Sequence, residues 1–280
     1  MTTLTTRAPP APAFSRVTQL RIAIIAGVVL TWEVVAASGW LYRDVVPSLL
    51  LIAGEVLNLF TQHPMPWAVK FSLLHIDTTI LLPEFYWHLW VTVGEVATAM
   101  AIGGLSGLAV GLLLGANRFL AKAFEPYLYY LGPTPKIIFF PVMIMWFGVG
   151  PGSKVAMGAI SCFFPVALSA AAGMRQIDQV LIKVGKSFRL TTAQMVTKIY
   201  LPAMRLPILN GVRLGLGVAI IGSLLAETKL SNQGVGFLVI NSYSTFNMPR
   251  MYALLIVLFA VSIGANALLG RFGRHASIKT

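Results

Sequence analysis

Long apolar runs separated by short polar connections dominate this chain. Residues 20–41, 87–115, 155–174, 206–227 and 251–270 are each apolar over about 20 positions, the length an α-helix needs to cross a bilayer. A sixth run, 124–148, is as apolar but is interrupted by Pro126, Pro133, Pro135 and Pro141. Proline removes an amide donor and crowds the preceding turn. At membrane depth such a helix survives only where protein or a water-lined cavity satisfies the freed carbonyls. The pattern predicts an all-α membrane protein of about six transmembrane helices over 20–272. A disordered tail is expected at 1–19, where the chain is rich in Pro, Ala and Thr, and a second short tail at 273–280. Within the connection at 42–86, the apolar stretch 45–60 suits a helix lying at the interface. The aromatic run Phe85-Tyr86-Trp87, with Trp90 nearby, reads as an interfacial belt.

Gly103, Gly107, Gly111 and Gly115 recur at every fourth position of the second run, preceded in the same register by Ala99. Such a stripe lets a neighbouring backbone approach closely. Gly211 and Gly215 repeat it more weakly in the fifth run.

Composition agrees with the membrane reading. Hydrophobic residues make up 57% and charged residues 11%, and mean hydropathy is +0.79. A soluble domain carries about 25% charged residues, so most of this surface faces something other than water. The formal charge of +12 could suggest a nucleic-acid partner, but the 21 Lys and Arg sit between apolar runs. With the N-terminus inside, the inner side collects 15 of these 21, leaving Arg43, Lys70, Lys136, Lys154, Lys229 and Arg250 outside. Both termini are then expected in the cytoplasm. The first run could be taken for a signal peptide. From Ile22 it is long enough to span, and the later helices need it for charge parity. Cys162 stands alone within an apolar run and reads as a small packing residue.

One segment is too polar to span and long for a simple connector. Residues 176–207 are basic and amphipathic, and a helical loop of that length usually has a partner. Its Gly185-Lys186-Ser187 imitates the end of a phosphate-binding loop, but Val180 stands where the first glycine belongs and no strand precedes it. Ionisable groups at membrane depth are functional candidates by default. For Glu33, Glu95 and Lys136 the competing roles are snorkelling toward an interface or pairing within the bundle. Lys136, in the broken helix, could also attract an anion. His63, His75, His88 and His275 show no metal-ligand spacing, and His88 reads as interfacial. Neither a carboxylate pair nor a Ser/His/Asp set suggests catalysis. A self-contained secondary carrier or channel is the competing reading. A proton-driven one is expected to show intramembrane relays and internal repeats, and the chain shows no clear repeat.

Several segments, in order and spacing, resemble the permeases of type I ABC importers, specifically the nitrate/sulfonate/taurine/bicarbonate group. They are LGPTPKIIFFPVMIMWFGVGPGSK at 131–154, Phe163-Phe164-Pro165, Asn210-Gly211-Val212-Arg213-Leu214, Ala226-Glu227 and Gly234-Val235-Gly236-Phe237-Leu238. The resemblance covers about 20–272. In that family a coupling helix carries E-A-A, then a glycine, then a run ending in L-P. Here those positions fall on Lys183, Val184 and Gly185, on Arg189, and on Leu201-Pro202, so the spacing fits while the letters differ. The resemblance implies a type I importer permease fold with a coupling segment at about 176–204, in which Phe188 would also take part. It implies a homodimer, two cytoplasmic ATPase subunits carrying ATP and magnesium, an extracytoplasmic solute-binding protein and a bacterial inner membrane. The chain itself would hold no cofactor and carry out no catalysis. Cargo, by the habit of the group a small anion, would cross by alternating access past Pro133, Pro135, Lys136, Trp146, Phe147 and Phe164, with Glu227 at an outer gate. Arg189 in the glycine position puts the expected bend in question.

Overall fold

The computed structural model describes residues 16–39, 45–62, 64–71 and 76–277. The expectations placed on residues 1–15 and 278–280, and on Arg43, His63 and His75, lie outside the described residues. In chain order the elements are α1 (Arg16–Ser38), α2 (Leu49–Thr61), β1 (Pro64–Phe71), β2 (Ile76–Pro83), α3 (Glu84–Ala116) and α4 (Arg118–Leu131). A 3-10 turn (Lys136–Phe139) leads into α5 (Phe140–Phe147), followed by α6 (Pro151–Arg175), α7 (Gln179–Ser187) and α8 (Thr192–Met195). A π turn (Val196–Tyr200) then joins α9 (Leu201–Ala203), and α10 (Arg205–Lys229), α11 (Val235–Ser244) and α12 (Met248–Ser277) complete the chain.

Helices α1, α3, α6, α10 and α12 are long and apolar enough to cross a membrane, and α4 with α5 makes a sixth span bent by 93°. The expected spans are thus present, with ends displaced by a few residues. Two boundaries differ. Helix α1 takes in Arg16–Gln19 from the expected tail, and α12 runs on to Ser277, because neither stretch contains a proline to stop it. The connection after α2 forms an antiparallel hairpin, with Pro64 opposite Pro83 and Phe71 opposite Ile76. The β-branched run of Ile76, Thr78, Thr79 and Ile80 favours this extended form.

Helix α6 lies at the centre, between α3 and α10. A Cβ on Gly103 would meet the Ala159 carbonyl oxygen at 2.2 Å, one on Gly107 the Phe163 oxygen at 2.6 Å, and one on Gly111 the Ala167 oxygen at 2.4 Å. The stripe read from the sequence is therefore the α3–α6 contact line, with backbone against backbone. On the other side of α6, a Cβ on Gly222 would meet the Met157 oxygen at 2.8 Å, and one on Gly211 the Ser169 side chain at 2.6 Å. Cys162 is fully buried at this crossing, with its sulfur 3.5 Å from the Ala99 oxygen.

A second cluster closes the end of the bundle away from α7. Ile52 and Leu59 of α2 pack with Phe85, Val235, Leu238 and Leu254. Helix α1 has no buried residue and joins this end through Trp32, whose indole donates to the Pro47 oxygen and stacks edge-on against Tyr252. The Glu33 carboxylate accepts the Leu49 N–H at 3.2 Å and so satisfies a free amide at the start of α2. Glu33 therefore has a structural role.

Candidate functional site

Three regions hold the residues singled out above: the amphipathic segment, the broken span, and a buried polar cluster at the opposite end of the bundle.

The amphipathic segment is a pair of short helices. The Asp178 carboxylate starts α7 by accepting the Val180 N–H at 2.8 Å. Arg189 ends it with φ +51°, while its N–H donates to the Lys186 oxygen and the Leu190 N–H donates to the Gly185 oxygen. These two bonds form a Schellman cap with arginine in the left-handed position that normally favours glycine. The bend is retained, and the backbone strain at Arg189 is borne by the fold. Thr191 and Gln194 then exchange side-chain and backbone bonds in a capping box that starts α8. Pro202 cannot donate to the preceding turn, and the wide π turn lies immediately upstream of it. The helical path continues through Met204 into α10 with the bonds Met204 to Tyr200 and Ile208 to Met204 intact.

The two short helices fold back on each other at Gly185, where a Cβ would meet Met195 and Ile199 at about 2.5 Å. The side-chain ends of Met195 and Ile199 thus pack directly onto the bare Cα at the third position of the motif. Met204, Met174, Ile177 and Ala170 are buried beneath this pair and join it to α6. Lys183 and Val184 are exposed, Leu201 is half-buried and Pro202 is exposed. Phe188 is 76% exposed and lies in one stripe with Val184 and Val180, beside Leu181, all uncovered. Val180 and Leu181 extend the face expected from the sequence; they stand four and three residues before Val184, as Val184 stands four before Phe188, and that spacing was the available signal. Lys186 and Ser187 occupy the last helical turn, which has no phosphate-binding loop geometry.

In the broken span, Pro133 and Pro135 are exposed between α4 and the 3-10 turn. The Lys136 ammonium turns back to donate to the Gly132 oxygen and lies 5.2 Å from the Phe164 ring centroid, a cation–π contact. Trp146 and Phe147 sit at the far end of α5, both mostly exposed. Lys136 and Phe164 are thus brought together, while Trp146 and Phe147 lie apart from them.

Glu227 is elsewhere and fully buried. Its carboxylate accepts the Gly236 N–H at 2.6 Å and the Thr92 hydroxyl at 2.7 Å; Thr92 in turn accepts the Val235 N–H, and His88 Nδ1 accepts the Gly234 N–H. Side chains of α3 and α10 thereby cap α11 from outside its own sequence. Gly234, at φ +99°, and Gly236 lie so close to this carboxylate that a Cβ on either would collide with it. Glu227 is enclosed by protein in this arrangement. It locks the loop before α11 to the bundle. His88 is correspondingly a buried bonding partner, which corrects the interfacial reading. Glu95 faces Glu227 as a pair within the bundle. Lys154, assigned to the outer side, is buried at 2% exposure and donates to the oxygens of Val149, Gly150 and Leu230.

The chain matches the family described as binding-protein-dependent transport system inner membrane component over residues 107–277. It is 29% identical, over 80% of this chain and 81% of the relative, to a Bacillus subtilis (strain 168) permease protein named for aliphatic sulfonates transport. It is 27% identical to the taurine transport system permease protein of Escherichia coli K12, over 91% and 88% of the two chains. Against the bicarbonate transport system permease protein of Synechococcus elongatus the figures are 26%, 89% and 84%. Among solved structures, an inward-facing MetNI methionine ABC transporter chain superimposes with TM-score 0.60 at 20% identity, covering 68% of this chain and 94% of that one.

The left-handed Arg189 yields a specific expectation. Arg189→Gly should stabilise the segment by about 1 kcal/mol and Arg189→Val should destabilise it by a similar amount or more. Thermal unfolding in detergent, with hydrogen exchange at residues 179–203, reads both.

Proposed function

We propose, from the premise that this chain belongs to the family of binding-protein-dependent transport system inner membrane components, a mechanism by which it moves cargo. The chain is a multi-pass permease subunit of a type I ABC importer, and its family is one of transport proteins. In our reading two copies form a homodimer, with α7 on the cytoplasmic side as the distribution of Lys and Arg favours. Two separate ATPase subunits bind and hydrolyse ATP with magnesium, and an extracytoplasmic binding protein delivers the solute. This chain holds no cofactor of its own.

The observation that carries the reading is the uncovered stripe of Val180, Val184 and Phe188, on a helix pair whose backbone continues into α10. An apolar stripe of this kind on a charged helix fits a groove on a soluble partner. Closure of the ATPase pair would push α7, and the buried Met204–Met174 contact would pass the displacement to α10 and α6. Leu201 and Pro202 lie at that junction. Lys183, exposed beside the stripe, reverses the acidic charge of the family motif at little energetic consequence, about 0–1 kcal/mol for an exposed pair. Replacing Val184 and Phe188 together by Asp should abolish ATPase co-purification while leaving membrane insertion and the melting temperature unchanged. Retention of the ATPase by that double variant would refute the docking face.

The cargo is a small anion in this reading, in keeping with the relatives named for sulfonates, taurine and bicarbonate. It passes the break at Pro133 and Pro135, where Lys136 on Phe164 supplies a cation, and Trp146 and Phe147 line the other end of α5 toward the second copy. Glu227 serves this path from behind, by fixing the α11 loop. Lys136→Met should lower uptake of an anionic cargo without changing assembly. Unchanged uptake in proteoliposomes would remove Lys136 from the path.

A further inference from the structure

Between the ends of α3, α4 and α6 and the back of α7 lies a cavity of about 610 Å³. Four cations stand around it, Arg118, Lys122, Arg175 and Lys186, with Gln179 and Tyr200 at its wall. Among the described residues, the only acid lining it is Glu125, which pairs with Arg175 at 2.7 Å. Among the described residues, no acidic side chain pairs with Arg118, Lys122 or Lys186. Three positive charges therefore converge without compensation on one depression. Its apolar part is formed by Leu114, Met174 and Ile182.

Two geometric facts say what such a cavity suits. It sits where the spanning helices α3 and α6 finish, at Ala116 and Arg175, which is headgroup depth for a protein whose helices cross the bilayer. At about 3.6 residues per turn, Gln179, Ile182 and Lys186 occupy the side of α7 opposite Val180, Val184 and Phe188. A partner docked on the stripe would leave the cavity uncovered.

We propose that this cavity binds the phosphate headgroup of an anionic glycerophospholipid. Lys and Arg beside a membrane attract such headgroups in proportion to their number, and arginine forks and lysine ammonium groups both donate to phosphate oxygens. A soluble phosphate compound offers the same charge. The lipid is favoured by Leu114, Met174 and Ile182, which provide an apolar floor for the glycerol and the first acyl carbons. Bound there, the lipid fastens α7 to the membrane surface from behind. The site is independent of the cargo. It rests on the inner placement of α7 only for which leaflet supplies the lipid.

The test uses the full chain, purified as it assembles in the membrane and delipidated in detergent. It is titrated with dioleoylphosphatidylglycerol, dioleoylphosphatidylcholine or inorganic phosphate, with binding read by native mass spectrometry and by thermal shift. Phosphatidylglycerol should bind in preference to phosphatidylcholine. Lys122→Ala with Lys186→Ala should weaken it about thirtyfold, and Lys122→Arg with Lys186→Arg should retain it. A control pair, Lys183→Ala with Lys198→Ala, removes the same charge away from the cavity and should also retain it. The melting temperature without lipid separates a folding defect from lost binding, and the arginine pair keeps the test valid if the alanine pair unfolds. Equal loss in both alanine pairs, or no preference between the two lipids, would overturn the proposal. Inorganic phosphate binding with the same sensitivity to the Lys122 and Lys186 variants, and without lipid preference, would assign the cavity to a soluble phosphate compound and overturn the lipid.

Discussion

Helix α6 is held between α3 and α10 by contacts so close that single Cβ atoms would abolish them, and the rest of the structure is arranged on that sandwich. Lipid tails are as apolar as leucine, so helices in a bilayer gain little by burying apolar side chains against each other. Dispersion at short range has to hold them. The glycines at 103, 107, 111 and 222 provide that range by allowing carbonyl oxygens of α6 within van der Waals contact of α3 and α10. Buried Met157, Val166, Ala167 and Ala170 on α6 fill what remains.

The two ends of this core are tied in different ways. Away from α7 polar ties are added to the apolar cluster: Lys154 gathers three carbonyl oxygens, and Glu227, Thr92 and His88 satisfy the first amides of α11. Each tie is directional and buried, so breaking one strands a donor or acceptor without water. Beneath α7 the ties are the flexible, apolar side chains of Met174, Met195 and Met204. Methionine accommodates small shifts in packing. A stiff rim, a rigid core and a compliant seat for a continuous helical arm form a suitable arrangement for passing a push from α7 into α10.

Much of this was legible in the sequence. The apolar runs, the prolines that break the third span and the glycine stripe each depend on residues close in the chain, and each appeared near its expected place. What escaped depends on distant partners. Lys154 donates to the nearby carbonyls of Val149 and Gly150, but its third partner, the carbonyl of Leu230, is 76 residues on. Thr92 and Glu227 are 135 residues apart. Their bond makes Glu227 part of the cap of α11, a role that local sequence does not show. The hairpin at Pro64–Phe71 and Ile76–Pro83 lacked clear alternation, and its first strand carries two prolines. Arg189 escaped for a different reason: composition argues against a left-handed arginine, and the bonds made by its own N–H and that of Leu190 hold it there.

The central claim is that the α7–α9 arm and α10 move as one body. Spin labels at Ser187 and Leu214, two exposed positions on the arm and on α10, measure it directly by pulsed dipolar spectroscopy on the assembled transporter. The account predicts that the Ser187-to-Leu214 distance within one copy stays constant between nucleotide-free and ATP-trapped states, while the distance between Ser187 of the two copies shortens. A change within the copy as large as the change between copies would contradict it.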